Sequence, residues 1–403
     1  MEWKEVDICQ LCDSVSETYK GNASEVVLIN TSDVLDGKCL NHEYVPNKKL
    51  KGQFKKTFRK GDILYSEIRP ANKRFCFVDF EPKDYIASTK LMVLRAHEDV
   101  APQYLYQILR SNDTLAQLQM LAESRSGTFP QITYSELSNI MVSLPSRKAQ
   151  KNIVSILSSL DRKIELNNKI NADLEEMAQA IFKTWFVDFE PFKDGKFVDS
   201  ELGMIPEGWK VGRADDFYQI NIGKTPPRKE HKWFSTNPAD KIWVSIANMG
   251  NSGIFISDSS EYLTKEAVDR HNIIMVPRNT ILLSFKLTVG RVAIADKELT
   301  TNEAIARFIL SDDKYMEYLY LYLKKYDYNS LGSTSSIATA VNSKTIKGMQ
   351  MLQPSDKIID AFHIQVNPIF EKIRSLTKEN SRLSTLRDTL LPRLMSGELE
   401  VPE

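Results

Sequence analysis

The sequence has no surplus of either charge: 53 Lys and Arg stand against 53 Asp and Glu in 403 residues. A grip on nucleic acid through bulk charge is thereby excluded, and any such contact must come from local patches or from a partner. Long apolar runs are also missing. None approaches the ~18 residues that spanning a bilayer requires, and no N-terminal stretch resembles a signal peptide, so no membrane association and a cytoplasmic location are expected. Cysteine is sparse, with Cys9, Cys12, Cys39 and Cys76 all near the N-terminus. Cys9-x-x-Cys12 has a zinc-like spacing, but no second close pair accompanies it and the histidines are scattered. Reduced thiols in a half-buried β segment, and no metal, are expected.

Catalytic signatures are absent as well. Gly223-Lys224-Thr225 looks like the end of a phosphate loop, but Tyr218 stands where the first glycine should be. There is no Gly-rich dinucleotide fingerprint, no His-Glu-x-x-His, and no Asn/Asp-Pro-Pro-Tyr/Phe tetrapeptide of the kind an amino-methylating DNA enzyme uses. The chain reads as non-catalytic. The alternative is a nucleic-acid enzyme of unfamiliar family with an active site hidden in one half, which purified protein acting on DNA without partners would favour.

What the sequence does have is a duplication. Leu144-Pro145-Ser146 falls on Gln353-Pro354-Ser355 at a spacing of 209, which also maps Leu160 onto Ile369, Ile164 onto Ile373 and Asn171 onto Asn380. Upstream, Gly61-Asp62-Ile63-Leu64-Tyr65-Ser66 answers to Asn279-Thr280-Ile281-Leu282-Leu283-Ser284. Two large repeats mean two similar domains rather than a solenoid, whose periods are far shorter. The expected segments are a globular domain over 1–145, a long helix over 146–187, a linker over 188–206, a second globular domain over 207–354, and a long helix with a tail over 355–403. Short β-like runs followed by an amphipathic helix in each globular segment give an α+β class.

From Ser146 to Phe186 there is neither Gly nor Pro, and apolar residues recur at alternating spacings of four and three. Ile153, Leu157, Leu160, Ile164, Asn171 and Leu174 mark one seam; Phe362, Val366, Ile369, Ile373, Asn380 and Leu383 mark the other. Exposed, each large apolar side chain would forgo about 1.5–3 kcal/mol, so the stripes are expected to pack on each other as antiparallel helices about an approximate two-fold axis. Asn171 and Asn380, mid-helix, are expected to fix register.

Lys48, Lys49, Lys51, Lys55, Lys56, Arg59 and Lys60 form a basic run without an acid. Phosphate contact is the sharper reading of that run and a solvated loop the plainer one. Arg69, Lys73 and Arg74 follow a candidate strand, as Lys286 and Arg291 do in the second copy, and Thr225, Arg228 and Lys229 lie in and after the Gly223 loop. Arginine can grip guanine by two hydrogen bonds, whereas lysine acts mostly as a point charge on phosphate.

Phe182-Lys183-Thr184-Trp185-Phe186-Val187-Asp188-Phe189-Glu190-Pro191-Phe192, with Ile205-Pro206-Glu207-Gly208-Trp209, closely resembles the central conserved region of type I restriction-modification DNA specificity subunits. Leu390-Leu391-Pro392-Arg393-Leu394-Met395-Ser396-Gly397 is similar to their distal conserved region. The resemblance implies two target-recognition domains separated by two long antiparallel coiled-coil helices, each domain reading half of a split, asymmetric double-stranded DNA target. It implies two methyltransferase subunits using S-adenosylmethionine, and restriction subunits using ATP and Mg, with no cofactor bound by this chain. Trp185, Phe186 and Phe189 at the helix end are expected to contact a partner subunit.

Overall fold

The structure, a computed structural model, describes residues 3–48, 52–124, 130–331 and 341–401. The candidates Lys49 and Lys51 lie outside them. The chain divides into two compact units, Met1–Ile164 with Arg382–Glu403, and Glu165–Ser381. The long helices Arg147–Phe186 and Asp356–Met395 are each shared between the units, whereas the boundaries read from sequence set them apart.

In the first unit an antiparallel sheet runs in the order Cys12–Val15, Leu91–Ala96, Ile63–Ser66, Phe75–Phe77. A second sheet runs Val45–Pro46, Glu25–Ile29, Tyr85–Ser88, Phe54–Lys56, its middle pair parallel. Lys4–Asp7 pairs with Met141–Leu144, the strand that leads into the first long helix. The stretch expected as one helix near residues 103–121 is two, Pro102–Arg110 and Asn112–Glu123. Ser111 breaks them: its extended backbone ends the first, and its hydroxyl accepts the Thr114 N–H to cap the second.

The second unit repeats this plan. Its main sheet runs Gln219–Ile222, Ile305–Ile309, Ile281–Ser284, Val292–Ala295, Phe255–Ile256. In its other sheet Lys241–Val244 lies between Tyr262–Leu263, antiparallel, and Thr300–Thr301, parallel, as Glu25–Ile29 does between its neighbours. Lys210–Arg213 pairs with Gln350–Gln353 before the second long helix. Gly61 and Asn279, matched by the repeat, are both left-handed, at φ 91° and 68°.

The long helices run antiparallel in each unit. In the first, Asp161 pairs with Arg387 at 2.8 Å, while Ile153 and Leu157 share a core with Leu391 and Leu394. In the second, Asn167 meets Asn380 at 2.9 Å and the Phe186 ring lies 4.8 Å from that of Phe362. Partners thus rise in number on one helix as they fall on the other. At about 1.5 Å per residue each 40-residue helix is roughly 60 Å long.

Ile153, Leu157, Phe362, Val366 and Ile373 are buried, and Leu160, Ile164, Leu174, Ile369 and Leu383 half-buried. The middle of the pair is polar. There Asn167, fully buried, donates to both Glu379 and Asn380, and Asn380 donates to Asn168. Asn380 therefore joins the seam through Asn167 and Asn168 rather than through Asn171, whose buried Oδ1 has no hydrogen-bond partner.

The second helix is fastened to its unit by charge. Asp296, almost fully buried, faces Arg374 at 3.2 Å, Lys378 at 3.2 Å and Arg278 at 3.5 Å. Arg374 also reaches Glu371 and Asn279, each at 2.7 Å. In the first unit Asp161 plays a like part between Arg110 and Arg387.

Candidate nucleic-acid interface

In the second unit a loop, a hairpin and a strand end converge. Strand Gln219–Ile222 runs into Gly223, where a Cβ would stand 2.0 Å from the Asn302 carbonyl oxygen, so only glycine permits the approach. The backbone N–H groups of Gly223 and Lys224 donate to the carbonyls of Ile305 and Thr301. Arg307, 2% exposed, buttresses the strand by donating to the carbonyls of Ile222 at 2.8 Å and Ile274 at 2.7 Å. Burial pulls its guanidinium down to about 10.

Thr225 then donates its hydroxyl to Glu303. Burial pushes the Glu303 carboxyl up, but that hydrogen bond and the charges of Lys286 and Arg228 outweigh it and hold the group below its ordinary range. Three sequence candidates thus act on one carboxylate that the sequence did not mark, Thr225 through a hydrogen bond and Arg228 and Lys286 through their charge. Arg228 is also held by Glu261 through two bonds of 2.6 and 3.0 Å, and lies over the rings of Phe234 and Trp243 at 4.2 and 4.5 Å. Its planar guanidinium is fixed on three sides. Lys229 is exposed.

Arg291 is tied to the fold by one arm of its guanidinium. It donates to the Ile246 carbonyl at 2.7 Å, at the start of the short helix Ile246–Asn251, instead of standing free after its strand. Arg74 does the same in the first unit, donating to the carbonyls of Ser32 at 3.0 Å and Val34 at 3.4 Å. Both tie a hairpin to the segment after the central strand of the second sheet. One nitrogen of each guanidinium is engaged by carbonyls of the fold, which a sequence cannot show because the acceptors lie 40 or more residues away.

The basic run of the first unit splits. Lys55 is exposed on the edge strand Phe54–Lys56, and Lys48, Arg59 and Lys60 are exposed, Lys60 beside Glu81 at 4.0 Å. Lys56 turns inward, donating to the carbonyls of Leu91 at 2.8 Å and Thr89 at 3.2 Å, and burial lowers its ammonium. Alternation along a strand sends neighbouring lysines to opposite faces. Arg69 and Lys73 are exposed at the two ends of one loop, both left-handed.

Of the three aromatics expected at a partner contact, Phe186 is buried within the chain, while Trp185 and Phe189 are half-buried. Phe186 is 5% exposed, packed on Tyr318 and Phe362, each 4.8 Å away; Trp185 packs on Phe362 and Phe192, and Phe189 on Trp209 and Phe197. The chain after the helix continues through the short helical turn Glu190–Phe192 and the paired strands Phe197–Val198 and Ile205–Pro206, which set Phe192 against Trp185 and Phe197 against Phe189.

The thiol of Cys12 is buried, which pushes it up to about 12 and keeps it neutral. Among the described residues no group of three or more His, Cys, Asp or Glu side chains is placed to hold a metal, and no helix is long and apolar enough to cross a membrane.

Comparison with known proteins gives one answer. The model of the type I restriction modification DNA specificity domain matches residues 2–176 and again 206–365. The HindI specificity subunit of Haemophilus influenzae is 35% identical, with 99% of this chain and 100% of that protein covered. The MjaIX specificity subunit of Methanocaldococcus jannaschii is 28% identical, with 90% and 85% covered. Among solved structures, the type I restriction-modification S subunit from M. genitalium has the same fold, with a TM-score of 0.53 at 14% identity over 100% of this chain and 97% of that one.

Proposed function

Since the chain belongs to the type I restriction-modification specificity subunits, the non-catalytic DNA-reading members of those complexes, we propose that each of its units reads one half of a split duplex target. The halves are asymmetric because the reading loops differ: the first unit offers Lys55, Arg69 and Lys73, the second Thr225, Arg228, Lys229 and Lys286. The single observation that carries this is the repeated sheet order, which puts a different set of polar and charged side chains on the same scaffold twice.

Two methyltransferase subunits, which bring S-adenosylmethionine, and restriction subunits, which bring ATP and Mg, supply the chemistry. Two of the former suit a chain built twice. Exposed cations on the reading loops supply phosphate contacts, and with a net charge of zero the chain alone binds DNA weakly, the assembled complex tightly. Methylome sequencing of a host carrying this gene and its partner subunits tests the reading. An asymmetric motif of two parts separated by unspecified bases is expected; a contiguous motif, or methylation by the isolated chain, would overturn it.

A further inference from the structure

Both units carry the same hairpin, built from Ile63–Ser66 and Phe75–Phe77 in one and from Ile281–Ser284 and Val292–Ala295 in the other. Their loops begin and end alike. The Ser66 N–H donates to the Arg74 carbonyl at 2.8 Å and the Ser284 N–H to the Arg291 carbonyl at 2.9 Å. The third residue after each serine is left-handed, Arg69 at φ 47° and Leu287 at φ 61°, and so is the residue before each arginine, Lys73 at 52° and Gly290 at 91°. Arg69 and Leu287 therefore occupy equivalent places.

Leu287 is 99% exposed, more than any other large apolar side chain among the described residues. Folding does not explain it. A left-handed backbone favours Gly or Asn, and a solvated tip favours a polar residue. The tip is nonetheless held in shape: the Ser284 hydroxyl donates to the Thr288 carbonyl at 2.6 Å and accepts the Arg291 N–H at 3.0 Å. Its chain neighbour is Lys286, exposed on the same loop, so the leucine stands next to a cation.

We propose that Leu287 reads a thymine in the second half-site through its C5-methyl group. Leucine has no donor or acceptor, and in the major groove the methyl of thymine is the apolar mark on a base edge. Equivalence with Arg69 favours this over insertion between bases. An arginine at that place can address the O6 and N7 edge of guanine, and the same hairpin in the same groove trades guanine for thymine by trading arginine for leucine. The inference rests on the reading of the second unit as a binder of duplex DNA.

The experiment uses the complex assembled with its methyltransferase subunits, on duplexes in which each thymine of the second half-site is replaced in turn by deoxyuridine, which removes only the methyl. One replacement should weaken binding about four-fold, the worth of one buried methyl group. Leu287→Ala and Leu287→Asn should weaken binding to the natural duplex similarly and make that position indifferent to uridine. A half-site without thymine, no uridine effect in the wild type, or an undiminished effect in Leu287→Ala would overturn the contact. Loss of methyltransferase subunits from the Leu287→Ala complex would instead assign the tip to a protein partner and also overturn it. A complex without any sequence-specific binding would bring down the functional reading itself, a result distinguishable from all of these.

Discussion

At the scale of single residues, adjacency in sequence is a poor guide to role. Lys55 and Lys56 are neighbours, yet one faces water and the other two carbonyls. Lys55→Ala should weaken binding of the assembled complex to all DNA sequences alike and reduce the salt slope by about one phosphate contact, measured as log affinity against log salt. Lys56→Ala should instead lower the melting temperature, because it takes the ammonium donor from the partly buried carbonyls of Leu91 and Thr89, at roughly 1–3 kcal/mol. Arg69, exposed at its loop, and Arg291, half-buried and bonded to the Ile246 carbonyl, make a second pair to test. Arg69→Ala should relax one base position in one half-site, at about 1–3 kcal/mol if the contact is bidentate, whereas Arg291→Ala should destabilise the fold and leave the methylated motif unchanged. Motif sequencing alongside thermal melting separates the two outcomes.

At the scale of elements, the long helices are held by charge as well as by apolar packing. Asp296→Ala would take from buried Arg374 its buried carboxylate and leave it only the half-exposed one of Glu371, and a loss of up to about 3–5 kcal/mol in denaturant unfolding is expected. Nearby, burial raises the Glu317 carboxyl on the helix Met316–Lys325, though His363 at 2.8 Å and Arg374 oppose the rise. A carboxyl raised in the folded state binds its proton more tightly there than in the unfolded chain. Its contribution is therefore fully present below the unfolded value near 4.3 and is lost as pH rises through the folded one. The melting temperature of Glu317→Gln should accordingly improve relative to wild type across that window. A constant difference would show that Glu317 does not titrate there. Asn167→Leu tests the polar centre of the helix pair: replacing it should maintain or raise stability while loosening register, seen as broadened amide exchange along both helices.

On the scale of the whole molecule, duplication predicts what half a molecule does. A fragment ending near residue 205 keeps the first recognition domain and the whole first long helix, but loses Leu391 and Leu394 from the core of the first unit. The repeat spacing maps Phe182 and Trp185 of a second copy onto those two places. Two fragments should pair antiparallel, more weakly than the intact helices because larger rings must fit sites shaped by leucine. With methyltransferase subunits present, the methylated motif should become an interrupted palindrome of the first half-site. A fragment that sediments as a monomer, or an unchanged asymmetric motif, would count against the duplicated reader.

Periodicity and repetition are local properties, so the sequence alone determined the α+β class, the two copies, both long helices and most candidate strands. The seam of Ile153, Leu157, Phe362, Val366 and Ile373 was legible because a helix puts every third or fourth residue on one face. Pro368 and Pro392 argue locally against one continuous second helix, yet it runs unbroken from Asp356 to Met395, because burial of Val366, Phe370 and Leu391 outweighs the lost backbone bonds. Only the tertiary structure decided which cations are free. Arg74, Arg291 and Lys56 look like their exposed neighbours until distant carbonyls claim them, and Glu303 and Glu261 join the candidate interface only because distant strands meet. Leu287 was invisible for the opposite reason: a lone leucine after a strand reads as core, and its left-handed, fully solvated place at the hairpin tip exists only once the two strands have paired.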